Sequence, residues 1–209
     1  MKFKLPLIYP ITDKKLAGKP THLSILTELV RGGAQLVQIR DKSTPPRDLL
    51  RDLIQCMEFA HKKNITIIIN DRCDLVLCCD AMGVHLGQED LPPGAARDLL
   101  GKSKIIGYST HTLAQVGASL HLPVHYIGFG PIYPTSTKDH ASPNVGLRQL
   151  TQACKVSPRP VVAIGGIGIN QVQEVLRAGA ASVAVISALM QSGNLALQMQ
   201  RFLERAMEK

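Results

Sequence analysis

The stretch Leu36-Val37-Gln38-Ile39-Arg40-Asp41-Lys42 decides the fold, because an apolar run changes abruptly into polar and charged residues. The same change recurs at residues 70–72, 85–90, 109–111, 134–138 and 165–167. Polar or glycine-rich residues directly after buried strands are typical of a ligand site at one edge of a parallel sheet. The mixture of carboxylates, cations, hydroxyls and a glycine pair suits a phosphorylated ligand that carries a metal ion.

Eight short apolar or β-branched runs alternate with segments of helical spacing. The runs cover residues 7–11, 36–39, 66–69, 83–86, 105–108, 126–129, 161–164 and 182–186. Apolar residues recur at i+3 and i+4 over residues 49–60, over residues 172–178 and over residues 195–207, which predicts helices there. Asn170 is the predicted N-cap of the second helix, and Gly179 is predicted to end it.

This alternation predicts an α/β fold, a (β/α)8 TIM barrel that forms one domain over residues 1–209. The short connection between the third and fourth runs leaves a doubly wound open sheet as the alternative. The number of strands and the late glycine pair favour the barrel. The dinucleotide fingerprint GxGxxG is missing after the first strand, which argues against a Rossmann fold.

The net charge of +8 fits either attraction of anionic partners or a solvated basic surface. The cations are dispersed and no nucleic-acid-binding motif appears, so we predict small phosphorylated substrates and no nucleic-acid partner. Five cysteines without a CxxC pair, together with the lack of a long apolar span, predict a cytoplasmic protein that does not bind a membrane.

Two glycines and a serine suggest a phosphate site. Gly165 and Gly166 end the seventh run, and Ile186-Ser187 ends the eighth. Loops at these places in TIM barrels commonly bind phosphate through backbone N–H groups, and glycine permits close approach of the anion. The alternative is that the glycines relieve a tight corner of the barrel.

Asp71 and Asp90 each follow a predicted strand, on neighbouring units of the barrel. Carboxylates contributed one at a time suit Mg²⁺, which keeps water and substrate oxygens among its ligands. The alternative for each aspartate is an N-cap of the helix that follows. Their matching positions favour the metal site.

Three cations at the same rim, Arg40, Lys42 and Lys138, predict a diphosphate ligand, although surface charge is the default interpretation of one lysine. Gln38 and Asn70 carry amides that both donate and accept hydrogen bonds, as is needed to recognise a heterocycle. His85 is predicted to be a hydrogen-bonded core histidine. His111 is open between an acid–base and a structural role.

At these residues the chain resembles the thiamine phosphate synthase family. The resemblance rests on seven motifs in order, at residues 37–42, 70–72, 83–90, 109–111, 128–138, 163–167 and 185–187. It implies a Mg²⁺-dependent transferase that joins 4-amino-5-hydroxymethyl-2-methylpyrimidine diphosphate to thiazole phosphate by a dissociative substitution, releasing diphosphate. A thiazole tautomerase of the same superfamily and a non-catalytic regulatory barrel are the alternatives.

The resemblance also implies roles for individual residues. The pyrimidine diphosphate is assigned to Gln38, Ile39, Arg40, Asp41, Lys42, Asn70, Ser109 and Lys138. The thiazole phosphate is assigned to Thr135, Ser136, Thr137, Gly166, Ile186 and Ser187. Mg²⁺ is assigned to Asp71 and Asp90, and catalysis to Arg40, Lys42, Ser109 and Lys138.

Overall fold

The computed structural model describes residues 4–135 and 143–208. Their strands are β1 (Ile8–Pro10), β2 (Leu36–Ile39), β3 (Thr66–Asn70), β4 (Gly83–Leu86), β5 (Ile105–Thr110), β6 (Tyr126–Phe129), β7 (Val161–Ile164) and β8 (Ser182–Val185). Their α-helices are α1 (Lys14–Ala17), α2 (His22–Arg31), α3 (Pro46–Lys63), α4 (Cys73–Cys79), α5 (Pro93–Leu100), α6 (Leu113–Ala118), α7 (Gly146–Val156), α8 (Val172–Arg177), α9 (Ser187–Met190) and α10 (Leu195–Met207). Two 3₁₀ turns cover Ser119–His121 and Ile169–Gln171. In these described ranges, no helix combines the length and the apolar character that crossing a membrane requires.

The strands form one parallel eight-stranded sheet in the order β1-β8-β7-β6-β5-β4-β3-β2. An isolated parallel bridge between Ile11 and Gln38 joins the two ends of this order. There the Thr12 N–H donates to the Gln38 carbonyl at 2.9 Å. The sheet is therefore the predicted (β/α)8 barrel and not the open doubly wound alternative.

Side chains of each strand alternate between two apolar layers, because successive residues of a strand point to opposite faces. Leu36, Ile68 and Ile105 belong to the cluster that fills the barrel. Val37 and Ile39 belong to the larger cluster between the strands and the surrounding helices. This alternation determines which polar residues at the strand ends face the interior.

The start of α8 differs from the prediction. Asn170 lies inside the 3₁₀ turn that precedes α8, so its predicted role as an N-cap is wrong. The side chain of Gln171 folds back instead, and its Oε1 accepts the Gly168 N–H at 3.2 Å. Gly179 ends the helix as predicted: its φ is +105° and its N–H donates to the Leu176 carbonyl at 3.0 Å.

Candidate active site

Four polar side chains face the barrel interior near the carboxyl ends of adjacent strands. Gln38 is two residues beyond the inward-facing Leu36, and Asn70 is two residues beyond the inward-facing Ile68. His85 is the register partner of Asn70, and Ser109 is four residues beyond the inward-facing Ile105. They open into a cavity at this end of the barrel. The cavity is lined by Tyr9, Ile11, Gln38, Arg40, Asn70, His85, Ser109, Gly128, Val162, Ile164, Ala184 and Ile186. Polar groups on one side and aliphatic groups on the other suit a flat heterocycle.

A continuous series of hydrogen bonds runs beneath this cavity. The Gln38 Nε2 donates to the Tyr9 hydroxyl at 3.1 Å, and the Tyr9 and Tyr126 hydroxyls are 2.7 Å apart. The His85 Nδ1 is 3.1 Å from the Tyr126 hydroxyl, and the His85 Nε2 is 2.9 Å from the Ser109 Oγ. We call these five residues the polar chain. His85 makes the predicted hydrogen bonds, but it is half-buried and lines the cavity instead of lying in the core.

Asp71 and Asp90 are neighbours at the rim, close enough for the Asp90 charge to act on Asp71. Burial raises the pKa of Asp71, and the Asp90 charge adds to this effect, while the Lys42 ammonium that donates to Asp71 opposes it. The Gly87 N–H donates to the Asp90 Oδ2 at 2.6 Å. Two neighbouring carboxylates beside a lysine form a site that a cation would stabilise.

The N-cap interpretation of these two aspartates is wrong. Helix α4 has Arg72 at its N-cap position and α5 has Pro92 there, and neither makes a side-chain cap hydrogen bond. Asp71 has a φ of +63°, in the left-handed region, and its N–H donates to the His85 carbonyl at 2.8 Å. The Asp71 carboxylate accepts a hydrogen bond from the Lys42 ammonium instead of capping α4.

Arg40 and Ile39 occupy different sides of β2. Arg40 lines the cavity, and its Nη1 lies 3.7 Å from the Asp13 Oδ2. Ile39 is buried in the layer between the strands and the helices. Its side chain therefore faces away from the cavity, and only its backbone atoms could contact a ligand there.

The Asp41 side chain anchors the β2–α3 loop. It is 2% exposed, and its Oδ2 lies 3.0 Å from both the Lys14 Nζ and the His22 Nε2. Its carboxylate also accepts the backbone N–H groups of Ser43 and Thr44, at 2.9 and 2.8 Å. These partners hold the pKa of Asp41 well below its ordinary value, despite burial. The structure thus places Asp41 beneath the predicted ligand contacts, as a support for the loop that carries Lys42.

Buried His22 connects Asp41 to the end of β1. The Arg40 N–H donates to the Thr12 Oγ1 at 3.2 Å, and this hydroxyl is 2.9 Å from the His22 Nδ1. The Asp52 carboxylate accepts the His22 backbone N–H at 2.6 Å. Burial lowers the pKa of His22, although Asp41 and Asp52 oppose the effect. His22 is therefore a neutral link at pH 7, with its Nε2–H donated to Asp41.

We expect stability to fall as the pH drops below 6.5, the ordinary pKa of histidine. Below this pH, His22 binds a proton in the unfolded chain but stays neutral in the folded chain. Proton binding therefore stabilises the unfolded state relative to the folded state. The contribution is at most about 1.4 kcal/mol per pH unit for one group. The free energy of unfolding, measured by urea titration at several pH values between 7 and 5, should fall less steeply with decreasing pH for His22→Gln than for the wild type.

His125 also makes the wild-type free energy of unfolding fall at low pH, because burial lowers its pKa as well. The comparison therefore rests on the difference between variants. Exposed His61→Gln is the matched control and should keep the wild-type slope. A slope in His22→Gln equal to that of the wild type would show that His22 does not resist protonation.

The glycine pair packs against the loop that follows β6. A Cβ on Gly165 would lie 2.4 Å from the Pro131 Cβ, and one on Gly166 would lie 2.3 Å from the Pro134 carbonyl and 2.8 Å from the Tyr133 Cβ. Both glycines also have positive φ, +101° and +64°. The structure therefore supports the tight-corner interpretation, and a phosphate role for Gly166 stays a prediction.

The loop after β6 carries four of the predicted site residues. Thr135 follows Pro134 and ends the first described range. Ser136, Thr137 and Lys138 lie outside the described residues. Their predicted contacts with thiazole phosphate and diphosphate stay predictions.

Three further predicted residues lie at the same end of the barrel. Ile186 lines the cavity, and Ser187 is the first residue of α9. His111 follows β5, and its Nδ1 lies 2.7 Å from the Gly130 carbonyl. Because a carbonyl only accepts, His111 carries its proton on Nδ1 in this contact, which is a structural role.

Comparison with known proteins agrees with this geometry. A family model described as thiamine monophosphate synthase matches residues 8–189. The chain belongs to this family. Its relatives include a thiamine-phosphate synthase of Persephonella marina, 40% identical over 188 residues that span 90% of each protein. Another is a thiamine-phosphate synthase of Albidiferax ferrireducens, 42% identical over 87% of this chain and 83% of the relative.

Solved structures support the same fold. A thiamine phosphate pyrophosphorylase from Pyrococcus furiosus superposes with a TM-score of 0.86, at 29% identity over 96% of both chains. A geranylgeranylglyceryl phosphate synthase from Thermoplasma acidophilum has a TM-score of 0.67 at 14% identity and shows the fold alone. Within the thiamine monophosphate synthase family, the chain is thus related over most of its length to proteins named thiamine-phosphate synthase.

Sequence reasoning missed Tyr9 and Tyr126, which connect the polar groups beneath the cavity of this family member. They are 117 residues apart in sequence, and each lies in an apolar run. A tyrosine in a buried strand is a usable signal, since a buried hydroxyl requires a partner. The identity of that partner depends on closure of the barrel.

Proposed function

We propose that the protein joins 4-amino-5-hydroxymethyl-2-methylpyrimidine diphosphate to thiazole phosphate, giving thiamine phosphate and diphosphate. The observation that carries this proposal is the position of a cavity for a heterocycle directly beside a corner of two carboxylates and a lysine. Gln38 and Ser109 line the cavity. The corner beside it is formed by Asp71, Asp90 and Lys42. Membership of the thiamine monophosphate synthase family supports the same reaction.

The pyrimidine ring is proposed to bind in the cavity. Gln38, Asn70 and Ser109 offer amide and hydroxyl groups to the edge of the ring, and aliphatic side chains such as Val162 and Ile164 cover its face. A flat aromatic ring held between polar and aliphatic walls has one orientation in which its hydrogen-bonding groups are satisfied. This orientation would direct the diphosphate-bearing carbon towards the rim.

The diphosphate is proposed to bind at the rim, between Arg40 and Lys42. Asp71 and Asp90 would hold Mg²⁺, which neutralises charge on a diphosphate when it is bound. In residues 4–135 and 143–208, no group of three or more His, Cys, Asp or Glu side chains could hold a metal ion. A donor set of two carboxylates fits Mg²⁺, because this ion commonly takes its other ligands from water and substrate phosphates. Lys138 is proposed as a third cation for the departing diphosphate.

The thiazole phosphate is proposed to bind across the cavity mouth. Thr135, Ser136, Thr137, Gly166, Ile186 and Ser187 are the residues assigned to it. Support comes from the position of Ile186 on the cavity wall and from the packing of the β6–α7 loop on Gly166. The loop and the glycine pair would thereby bring both substrates to one side of the barrel.

A dissociative substitution explains the absence of a nucleophile–base pair from the proposed roles. The electron-rich aminopyrimidine stabilises the cation that forms when the C–O bond breaks, and the thiazole nitrogen then attacks. Arg40 and Lys42 stabilise the charge that grows on the diphosphate, and the barrel holds the two rings in line. An electron-withdrawing substituent on the pyrimidine is expected to slow the single-turnover rate steeply. An equal or faster rate with that analogue would reject the dissociative mechanism.

Turnover of the two phosphorylated substrates, with and without Mg²⁺, tests the proposed function. Formation of thiamine phosphate in Mg²⁺ and its loss in EDTA are expected. Isomerisation of a thiazole phosphate without condensation would favour a tautomerase. A tautomerase has no use for the diphosphate corner of Lys42, Asp71 and Asp90, which disfavours it. We further propose that one catalytic domain acts in the cytoplasm on these small molecules, without nucleic acid or membrane partners.

A further inference from the structure

Three residues inside the barrel have no role in the proposed reaction, although they connect two residues that do. Tyr9, Tyr126 and His85 join Gln38 to Ser109 through successive contacts of 3.1, 2.7, 3.1 and 2.9 Å. Tyr9 and Tyr126 are 1% and 0% exposed. A buried network of this kind strongly restricts the orientation of its members.

The barrel makes room for the polar chain at two glycines. A Cβ on Gly107 would lie 2.4 Å from the Tyr126 hydroxyl and 2.6 Å from the His85 Nδ1. A Cβ on Gly128 would lie 3.3 Å from the His85 Cε1. The rings of Tyr9 and Tyr126 meet edge to face at 5.9 Å, and those of His85 and Tyr126 stack at 5.5 Å. The polar chain is therefore held by packing as well as by hydrogen bonds.

Each hydroxyl in the polar chain supplies one hydrogen, which gives the series a direction. Burial raises the pKa of Tyr9 and of Tyr126, so both stay protonated at neutral pH. With Gln38 as the donor to Tyr9, these contacts are satisfied when the Tyr9 hydrogen points to Tyr126 and the Tyr126 hydrogen points to the His85 Nδ1. His85 then carries its proton on Nε2 and donates it to Ser109. The Ser109 hydrogen and the Gln38 Oε1 face a ligand.

The direction of the polar chain reverses as a unit. If the Gln38 amide turns over, each hydroxyl must donate the other way, and the His85 proton moves from Nε2 to Nδ1. Ser109 then accepts from a ligand while Gln38 donates to it. The Ser109 hydrogen is therefore available to a ligand when Gln38 accepts, and is used by His85 when Gln38 donates.

We propose that Tyr9, Tyr126 and His85 form a positioning device that couples Gln38 to Ser109 and selects an aminopyrimidine over its oxo analogue. This selection rests on the proposed function. An aminopyrimidine offers an N–H donor beside a ring-nitrogen acceptor, and the oxo form offers the reverse pattern. The direction held in the structure fits the amino compound, and the oxo compound requires reversal of all the links.

The tautomer of His85 reports the direction of the polar chain. In ¹⁵N NMR of the full-length protein, His85→Asn assigns the signals. The wild type should show the Nε2–H form, and Tyr126→Phe and Tyr9→Phe should each show a mixture of tautomers. Tyr108→Phe removes a hydroxyl outside the polar chain and should leave the tautomer unchanged.

An Nδ1–H form in the wild type overturns the proposal, as does the wild-type tautomer in both Phe variants of the polar chain. These outcomes are read without a substrate, so they are independent of the proposed function. Thermal melting of each variant verifies that the barrel is folded, and Tyr9→Phe replaces Tyr126→Phe where the latter fails to fold.

Equilibrium binding tests the selection itself. The wild type should bind the amino form of the pyrimidine diphosphate more tightly than the oxo form, and Tyr126→Phe should reduce this ratio at least about tenfold. Binding of inorganic diphosphate should not change. An unchanged ratio refutes the selection. If the wild type binds neither pyrimidine, the proposed function fails together with the selection, and the tautomer comparison alone decides the coupling.

Discussion

Asparagine in place of Asp71 or Asp90 is expected to reduce the rate of thiamine phosphate formation by about 10²–10³-fold, the usual scale for losing one preorganised charge in an active site. Asparagine keeps the size of each side chain and removes its charge. It also tolerates the φ of +63° at residue 71, where alanine would be strained. In Asp90→Asn, the amide oxygen would still accept the N–H that Gly87 donates to the Asp90 Oδ2 at 2.6 Å.

The rate of each variant should be measured as a function of Mg²⁺ concentration, together with its melting temperature. Asp74→Asn is the matched control, since Asp74 pairs with Arg72 on the surface and its side chain is 58% exposed. This control should keep wild-type activity and Mg²⁺ dependence. Full activity of the wild type in EDTA would eliminate the metal role of both aspartates.

Alanine in place of Gly166 is expected to lower the free energy of unfolding by about 2–6 kcal/mol, because two costs add. A φ of +64° strains alanine, at about 1–3 kcal/mol. The new methyl group would also lie 2.3 Å from the Pro134 carbonyl, and such overpacking costs about 1–3 kcal/mol. The loop after β6 must therefore move away from the strand ends.

This displacement should weaken the binding of both substrates, since the same loop continues into the segment assigned to thiazole phosphate and to diphosphate. Urea unfolding and binding titrations measure the two effects. Gly94→Ala is the control, because a Cβ at Gly94 meets nothing within 4 Å. Selective loss of thiazole phosphate binding, with wild-type stability, would instead support direct phosphate contact at Gly166.

Much of the fold could be predicted from local pattern. The apolar runs at residues 36–39, 83–86, 126–129 and 161–164 coincide with β2, β4, β6 and β7. Alternation within a strand follows from backbone geometry, so short runs between polar segments are reliable signals. The start of α8 was missed, because the competition between Asn170 and Gln171 depends on which side chain reaches a backbone N–H.

The candidate site was predicted less completely, because the direction of a side chain beyond the end of a strand is set by the loop. Arg40, Asp41 and Lys42 are consecutive, yet Arg40 lines the cavity, Asp41 turns to Lys14, and Lys42 reaches Asp71. No spacing rule distinguishes these three directions. Packing of the loop against the first helix decides them.

The way the barrel closes has a consequence for how the protein is made. Ile8 of β1 pairs with Val183 of β8, and the Val183 N–H donates to the Leu7 carbonyl at 2.8 Å. On the ribosome, β1 emerges before β8 and has no partner on that side until β8 follows. Contacts between such distant parts of a chain form slowly. Because Tyr9 belongs to β1, the floor of the cavity reaches its closed arrangement only after β8 has been made.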